Sequence, residues 1–381
     1  MSTEQTVNWS ESSGEERCAP WRSATGALPP KRVVVADDRM NADTAFRLAC
    51  EGTSLLWRGD FHNARQLLQA MARRADRKQQ KPGTSAAHSF HLYRQAQSRR
   101  ARILGMLLLP VAAGHVIPLR RAPDVRLACE HAYGQSDEAY VVSLRELQGV
   151  MGAAEWRRKG VHVPALNESI TPHYGVFSPV RGEYVDLVAE APLPSLSTAF
   201  DIGTGTGVLA AVLARRGVRR VVATDCDARA LACARENISR LGLSSAVDVR
   251  QADLFPAGRA SLVVCNPPWL PGRARTTLEH AVYDPGSRML RGFVEGLSAH
   301  LAPGGEGWLI ISDLAERLGL RSRTELPELF AEAGLSVVGR LDTRPRHPRA
   351  HNPDDPLHAA RTAEVTSLWR LAAVRTPAEA H

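Results

Sequence analysis

One stretch, TAFDIGTGTGVL at positions 198–209, constrains the fold of this chain more than any other. Its apolar start predicts a β-strand, and the pattern from Val208 onward predicts a helix. The turn between them contains three glycines: Gly203, Gly205 and Gly207. A strand, a glycine turn and a helix in immediate succession form the nucleotide site of α/β sheets, because glycine lets the backbone approach a ligand without a Cβ in the way. The alternative is a tight turn with no ligand.

The spacing of these glycines separates two kinds of nucleotide site. A dinucleotide fingerprint, G-x-G-x-x-G, would need a glycine where Val208 stands. The observed order is D-x-G-x-G-x-G, and it begins with Asp201 at the end of the strand. This order resembles motif I of the class I S-adenosylmethionine-dependent methyltransferases. The resemblance implies that S-adenosylmethionine is the cofactor and that five residues bind it: Asp201, Gly203, Thr204, Gly205 and Gly207.

Strands and helices alternate from residue 198 onward, which predicts a parallel sheet with helices on both faces. The second strand ends at Asp225, a position from which a carboxylate can accept hydrogen bonds from both hydroxyls of a ribose. A helix N-cap is the competing interpretation, but Asp227 is better placed to cap the helix that follows. We therefore expect Asp225 to bind the cofactor.

The fourth strand of this series runs into a rigid polar segment, Asn266, Pro267, Pro268 and Trp269. Neither proline has an N–H, so the chain cannot continue as a sheet ladder or as a helix. The side-chain oxygen of Asn266 and the carbonyl of Pro267 remain as acceptors beside the flat face of Trp269. Such acceptors can hold both hydrogens of a planar NH2 group and direct its nitrogen at a methyl donor. A simple Asn-Pro-Pro turn is the alternative.

Residues from about 170 to 375 resemble the superfamily that contains the glutamine N5-methyltransferases of peptide release factors, the guanine-N2 rRNA methyltransferases and the adenine-N6 methyltransferases. These enzymes share an [N/D]-P-P-aromatic motif, which residues 266–269 match. Two positions depart from the family pattern. Trp269 stands where Tyr or Phe is usual, and Ser261 stands where the fourth strand often begins with Asp. Because of these two departures the motif does not identify the substrate, but it still indicates the same type of reaction.

The resemblance also assigns two further residues to the cofactor site. The acid that matches Asp253 contacts the exocyclic amine of adenine in methyltransferases of this class. The segment that matches YGVFSP, 174–179, helps line the cleft in the relatives, so Phe177 is expected to contribute there. A hairpin whose Phe177 fills the core is the alternative.

The implied activity is methyl transfer to a planar amide or amino nitrogen. The chain order, a helical N-terminal region followed by a short hairpin and the catalytic sheet, resembles that of the release-factor enzymes more than that of the rRNA enzymes. The resemblance makes a protein glutamine in the translation machinery the first expectation. An exocyclic base amine in rRNA or another nucleic acid is the second. A catalytically silent fold used as an RNA-binding module is the third.

The rest of this region completes a Rossmann-like sheet of seven strands. Residues 335–341 and 367–374 predict its antiparallel edge, with a long loop, 342–366, between them. Three histidines lie in this loop: His347, His351 and His358. No second ligand cluster accompanies them, so we expect no metal site and interpret the loop as a substrate-contacting flap or a mobile segment.

The N-terminal residues predict two further regions. Residues 1–30 are polar and are expected to be a disordered tail. Residues 31–160 are expected to form a basic, mainly helical recognition region in front of a methyltransferase domain over 161–381. Of the net charge of +8, residues 61–110 contribute +9, since they hold ten Lys or Arg and one acid, Asp76. This density predicts an anionic partner such as nucleic acid, although a solvated helix face is the alternative.

The chain shows no sign of a secreted or membrane protein. Its six cysteines form no C-x-x-C pair, and the first residues contain no apolar leader segment. The apolar run 103–114 is too short to span a bilayer. A cytoplasmic location with reduced thiols is therefore expected.

Overall fold

The computed structural model describes residues 5–11, 13–24, 26–77, 83–274, 278–346 and 355–374. The chain forms two compact units. The N-terminal unit comprises Met1–Thr84 and His88–Glu155, and the C-terminal unit comprises Ser85–Ala87 and Trp156–His381. The division falls a few residues before the boundary expected at 160/161.

A six-stranded mixed sheet forms the centre of the N-terminal unit. Its strands are Thr6–Ser10 (β1), Glu16–Arg22 (β2), Val33–Ala36 (β3), Ser54–Trp57 (β4), Leu107–Val111 (β5) and Tyr140–Ser143 (β6). They lie in the order β1-β2-β6-β5-β4-β3. All four residues of β4 and of β6 are buried, as expected of central strands that are covered on both faces.

Among the described residues, five α-helices accompany this sheet: Ala42–Cys50 (α1), Phe61–Asp76 (α2), Ala86–Leu104 (α3), Arg126–Tyr133 (α4) and Leu144–Lys159 (α5). The start of α2 is fixed by Asp60, whose side chain accepts a hydrogen bond from the backbone N–H of His62. One face of α2 buries Ala64, Leu67, Leu68 and Met71, which leaves its arginines on the other side.

One expectation for the N-terminal part is wrong. The described residues of 1–30 contain β1 and β2, with Val7 and Trp9 buried on one face of β1, instead of a disordered tail. In the region 31–160 the helices α1 to α5 hold more residues than the strands β3 to β6, but they accompany a sheet that the expectation of a mainly helical region did not include. The strands β4 and β6 are buried on both faces and show no alternation, so their periodicity does not distinguish them from a helix.

The C-terminal unit contains the predicted seven-stranded sheet. In chain order, after the hairpin Val161–Val163 (β7) and Glu168–Ile170 (β8), its strands are Thr198–Ile202 (β9), Arg220–Asp225 (β10), Val247–Gln251 (β11) and Ala260–Cys265 (β12). A short pair, Leu270–Pro271 (β13) and Tyr283–Asp284 (β14), precedes the last three, Leu301–Ser312 (β15), Leu335–Thr343 (β16) and Thr366–Ala373 (β17).

The sheet order is β11-β10-β9-β12-β15-β17-β16. The first five strands are parallel, and β17 pairs antiparallel with both of its neighbours, as predicted for the edge. From β9 the chain moves through β10 to β11 and then returns to place β12 on the other side of β9. The carboxyl ends of β9, β10 and β12 therefore surround a topological switch point, where sheets of this kind bind ligands.

The described residues of this unit form seven α-helices: Glu183–Glu190 (α6), Val208–Arg215 (α7), Ala228–Arg240 (α8), Arg288–His300 (α9), Leu314–Arg317 (α10), Glu325–Glu332 (α11) and His358–Thr362 (α12). Side chains of β12 alternate between two apolar clusters. Leu262 and Val264 pack with residues of α6, α7 and α8, whereas Val263 and Cys265 pack with residues of α9 and α11. The sheet is thus covered on both faces, as the sequence predicted.

No helix in the described part of the chain is both long enough and apolar enough to cross a membrane. Of the three loop histidines, His347 and His351 lie outside the described residues, and His358 begins α12.

Candidate active site

The glycine turn links β9 to α7 in a backbone conformation that favours glycine. Gly203, Gly205 and Gly207 have φ values of 70°, 56° and 81°, in the left-handed region where a Cβ is strained. At Gly207 a Cβ would also lie 3.3 Å from the Cα of Ala234 in α8, so glycine permits close packing there. At Gly205 a Cβ would meet nothing within 4 Å. Space for a ligand therefore lies beside Gly205.

Asp201 lies beneath this turn and is 1% exposed. Its Oδ2 accepts hydrogen bonds from the Thr204 hydroxyl (2.6 Å) and from the backbone N–H of Ala210 (3.1 Å). Burial raises the pKa of this carboxyl to about 6. Asp201 and Thr204 were both predicted to contact the cofactor, but their side chains are occupied with each other. They hold the turn in shape from the protein side.

Asp225 ends β10 next to the turn. Its Oδ2 accepts the backbone N–H of Gly205 and its Oδ1 accepts that of Asp227, each at 3.0 Å. Burial raises the pKa of Asp225, although these backbone donors oppose the effect. Asp227 caps α8 by accepting from the N–H of Arg229, as the sequence predicted. Asp225 is therefore available for a ligand at the open side of Gly205.

Asp253 follows β11 and is exposed, with its Oδ2 2.6 Å from a guanidinium nitrogen of Arg288 at the start of α9. This ion pair lies at the surface, since both side chains are exposed. Phe177 is half-buried in a segment, 171–182, that has no regular secondary structure. The preceding residue, Val176, is buried and packs against Ala230 and Cys233 of α8.

Asn266 follows directly after β12. The residue before Asn266, Cys265, pairs with Ile202 of β9. On the other side of β9, the residue before Asp225, Thr224, pairs with the same Ile202. Asp225 and Asn266 therefore follow equivalent positions of the two strands that flank the glycine turn. The Oδ1 atom of Asn266 accepts a hydrogen bond of 2.9 Å from Nε1 of Trp269.

The residues after Asn266 are held in place by packing. Pro267 is buried, Pro268 and Trp269 are half-buried, and Trp269 packs against the apolar cluster that includes residues of α9. Cys265 is fully buried, and burial raises its pKa well above the usual thiol range. It remains a protonated thiol at neutral pH and has no nucleophilic role here.

Two residues that the sequence analysis missed complete this region. Met289, at the start of α9, lies over the turn, since a Cβ on Gly203 would be 2.4 Å from its Cε. The buried carboxylate of Asp284 accepts the backbone N–H groups of Met289 (2.9 Å) and Leu290 (3.1 Å) and so fixes the start of α9. The Asp-Pro-Gly sequence at 284–286, a helix-start signal, was the available clue.

Comparison with known proteins agrees with this geometry. Residues 168–332 match the family model described as Methyltransferase small domain. The release factor glutamine methyltransferase of Cereibacter sphaeroides is 33% identical over 180 residues, which cover 44% of this chain and 63% of that protein. The ribosomal protein L11 methyltransferase of Pelotomaculum thermopropionicum is 48% identical over 71 residues, which cover 18% of this chain and 23% of that protein.

Among solved structures, a ribosomal protein L11 methylase from Lactobacillus delbrueckii subsp. bulgaricus aligns with 52% of this chain and 82% of its own, at 18% identity and a TM-score of 0.36. The chain spans less than two thirds of the length of the curated relatives named above. Residues 168–332 are therefore similar to the methyltransferase small domain.

Proposed function

We propose that this chain transfers a methyl group from S-adenosylmethionine to the nitrogen of a planar NH2 group. The observation that carries the proposal is the placement of Asp225 and Asn266 at equivalent ends of β10 and β12, one on each side of the glycine turn of β9. One flank offers a carboxylate suited to a ribose, and the other offers a neutral acceptor suited to an NH2 group.

The residues of the turn fit the cofactor. The open side of Gly205 leaves room for a ligand, and the second lone pairs of the Asp225 oxygens can accept from two ribose hydroxyls. Asp201 and Thr204 support this arrangement from below by fixing the turn. When bound, the sulfonium group supplies the transferable methyl.

The nitrogen of an amide or of an aniline-type amine is a weak nucleophile because its lone pair is delocalised. The residues around Asn266 can compensate for this weakness. The Oδ1 atom of Asn266 and the carbonyl oxygen of Pro267 would each accept one N–H of the acceptor. These two bonds orient the nitrogen and stabilise the positive charge that develops on it during transfer. Trp269 offers a flat ring to the planar group beside them.

We propose a glutamine side chain in a protein of the translation machinery as the acceptor. The relatives named above are described as methyltransferases of a release factor and of a ribosomal protein, which supports a protein acceptor. A glutamine on an exposed loop needs no base flipping, whereas a base inside a duplex would cost a few kcal/mol to extrude. A cytoplasmic location follows from this assignment.

A second acceptor, an exocyclic base amine of RNA, is favoured by one observation. Four arginines of α2 and α3 are exposed, namely Arg65, Arg73, Arg99 and Arg102. None of them forms an ion pair with another described residue. We call these four the exposed arginine set. Guanidinium groups pair well with phosphate, so a nucleic acid partner of the N-terminal unit is proposed with this alternative.

The experiment uses tritiated S-adenosylmethionine and a lysate of a strain that lacks the protein. The wild type should label a macromolecule in this lysate, and the label should be removed by protease if the acceptor is a glutamine and by nuclease if it is a base. Asn266→Ala is the matched control and should transfer no label. Binding of RNA without any label from the wild type would contradict the proposal and favour the silent RNA-binding module.

A further inference from the structure

Trp269 makes a hydrogen bond that only one orientation of its neighbour allows. The indole N–H donates and cannot accept, and it lies 2.9 Å from Oδ1 of Asn266. An asparagine amide that turned by 180° would place its NH2 group against this N–H, donor against donor. The indole therefore selects the orientation in which the oxygen of Asn266 faces it.

The same choice decides whether Asn266 can hold a substrate. If the amide presented its NH2 group to an acceptor NH2, two sets of donors would oppose each other. The amide oxygen has two lone pairs, so one can serve the indole while the second accepts from the substrate. Phe at position 269 would have no ring N–H to make this selection.

The surroundings hold the indole itself in place. Its ring is half-buried and packs against the apolar cluster formed with α9. The next residue, Leu270, begins β13 and pairs with Tyr283 of β14, and its N–H donates to the carbonyl of Val282 at 3.0 Å. Pro267 and Pro268 restrict the backbone between the two partners.

We propose that Trp269 is a positioning residue that locks the Asn266 amide with its oxygen available to the methyl acceptor. The inference rests on the proposed function for its catalytic consequence, but the lock itself is a property of the free protein. It adds a second role to the flat ring already assigned to Trp269, and this role belongs to the indole nitrogen.

The lock is tested directly by proton–nitrogen NMR of the indole groups in the cofactor-free protein. The chain has seven tryptophans, and Trp269→Phe identifies the resonance of Trp269 by its loss. Its indole proton should exchange with water more slowly than that of Trp156, whose residue is 51% exposed. Asn266→Ala should shift this resonance and remove the protection. The indole of Trp308, which donates to Glu306 at 3.0 Å, should not change.

If Trp269→Phe does not fold, Asn266→Asp identifies the resonance instead, because it alters only the group to which this indole donates. A Trp269 proton that exchanges as fast as that of Trp156, or that does not respond to Asn266→Ala, would overturn the proposal.

A kinetic comparison tests the consequence, with tritiated S-adenosylmethionine and the deletion-strain lysate as probes. Trp269→Phe keeps an aromatic face but loses the N–H, so kcat should fall roughly 2- to 12-fold, the equivalent of one neutral hydrogen bond. KM for the cofactor should not change. In an Asn266→Asp background the same substitution should have less than a twofold effect, because a carboxylate presents an oxygen in either orientation.

Trp369→Phe, in β17, is the matched control and should leave kcat unchanged. An equal fall in kcat for Trp269→Phe in both backgrounds would overturn the positioning role. If the wild type transfers no label at all, the proposed function fails, while the NMR comparison still decides whether the lock exists.

Discussion

The polar side chains at the carboxyl edge of the seven-stranded sheet are enclosed and hydrogen-bonded to the protein, whereas those of the exposed arginine set face solvent. At the sheet edge, Asp201, Asp225 and Asn266 are buried or half-buried, and each has a protein partner within 3.1 Å. The exposed arginine set lies in solvent on α2 and α3, whereas nearby arginines of the same helices are paired, Arg74 with Asp43 and Arg100 with Asp76.

This difference in environment determines how strongly a substitution in each region should change activity, binding or stability. A partnered polar group in a low-dielectric environment has a fixed position, so its removal changes one defined property strongly. An exposed arginine contributes little by itself and acts through the total charge of the surface. The following predictions run from the sheet edge to the exposed arginine set.

Asn266→Ala should have the largest effect. It removes an acceptor that is used while charge develops on the nitrogen, so kcat should fall by about 10²- to 10³-fold or to below detection. The affinity for S-adenosylmethionine should remain near that of the wild type, since Asn266 serves the acceptor. Labelled methyl transfer and calorimetric titration of the cofactor measure the two quantities.

Asn266→Asp is the matched control, because the family motif admits Asp at this position and a carboxylate also accepts. It should keep more activity than Asn266→Ala. An Asn266→Ala enzyme that retains most of its rate would show that the orientation argument is wrong.

Asp201→Asn should alter the pH dependence of stability. The folded-state pKa of about 6 exceeds the ordinary Asp value of 3.8, so the charged form is disfavoured by folding. The free energy of unfolding should therefore fall by up to about 3 kcal/mol as pH rises from about 4 to about 6, relative to the Asn variant. Urea denaturation of both proteins across this range measures the difference, and a constant difference would contradict the assignment.

Asp225→Ala should weaken S-adenosylmethionine binding roughly 10- to 150-fold, which corresponds to the loss of a charge-assisted hydrogen bond of about 1.5–3 kcal/mol. Part of this loss comes from the Gly205 N–H, which would lose its partner. Asp227→Ala is the matched control: it removes a neighbouring carboxylate and the cap of α8 but should leave cofactor affinity unchanged. Unchanged affinity in a folded Asp225→Ala protein would remove Asp225 from the site.

The exposed arginine set should show the smallest effect per residue. If it contacts single-stranded RNA, the logarithm of affinity should fall with the logarithm of salt concentration by about 0.7 per phosphate contacted. Reversing all four charges should flatten this slope, whereas substitution of the ion-paired Arg74 or Arg100 should change it less. Binding that does not depend on salt would show that the exposed arginine set is only a solvated surface.

The sheet edge could be predicted from the sequence because its signals are local. The glycines at fixed spacing, the acid at a strand end and the Asn-Pro-Pro-Trp segment can each be recognised within a few residues, and the parallel strands with an antiparallel edge were predicted as well. The hydrogen-bond partner of each of these side chains, in contrast, could not be predicted from the neighbouring residues. Nothing near Asp201 in the sequence indicates that Thr204 and Ala210 occupy its carboxylate.

The N-terminal sheet could not be predicted in the same way. Residues 54–57 are buried on both faces and match a helix as well as a strand. The strands β1 and β2 come from a polar stretch, and only Val7 and Trp9 of β1 are buried. Their sheet depends on pairing with residues more than a hundred positions away, such as Trp21 with Val141, which no local pattern records.

The central claim is that Asn266 directs methyl transfer to a planar NH2 nitrogen. Mass spectrometry of proteins and rRNA from a deletion strain tests it most directly, with complementation by the wild type or by Asn266→Ala. We predict that one methylated side-chain amide or base amine is absent from the deletion strain, is restored by the wild type and is not restored by Asn266→Ala. Identical amide and base-amine methylation in all three strains, or restoration by Asn266→Ala, would contradict the claim.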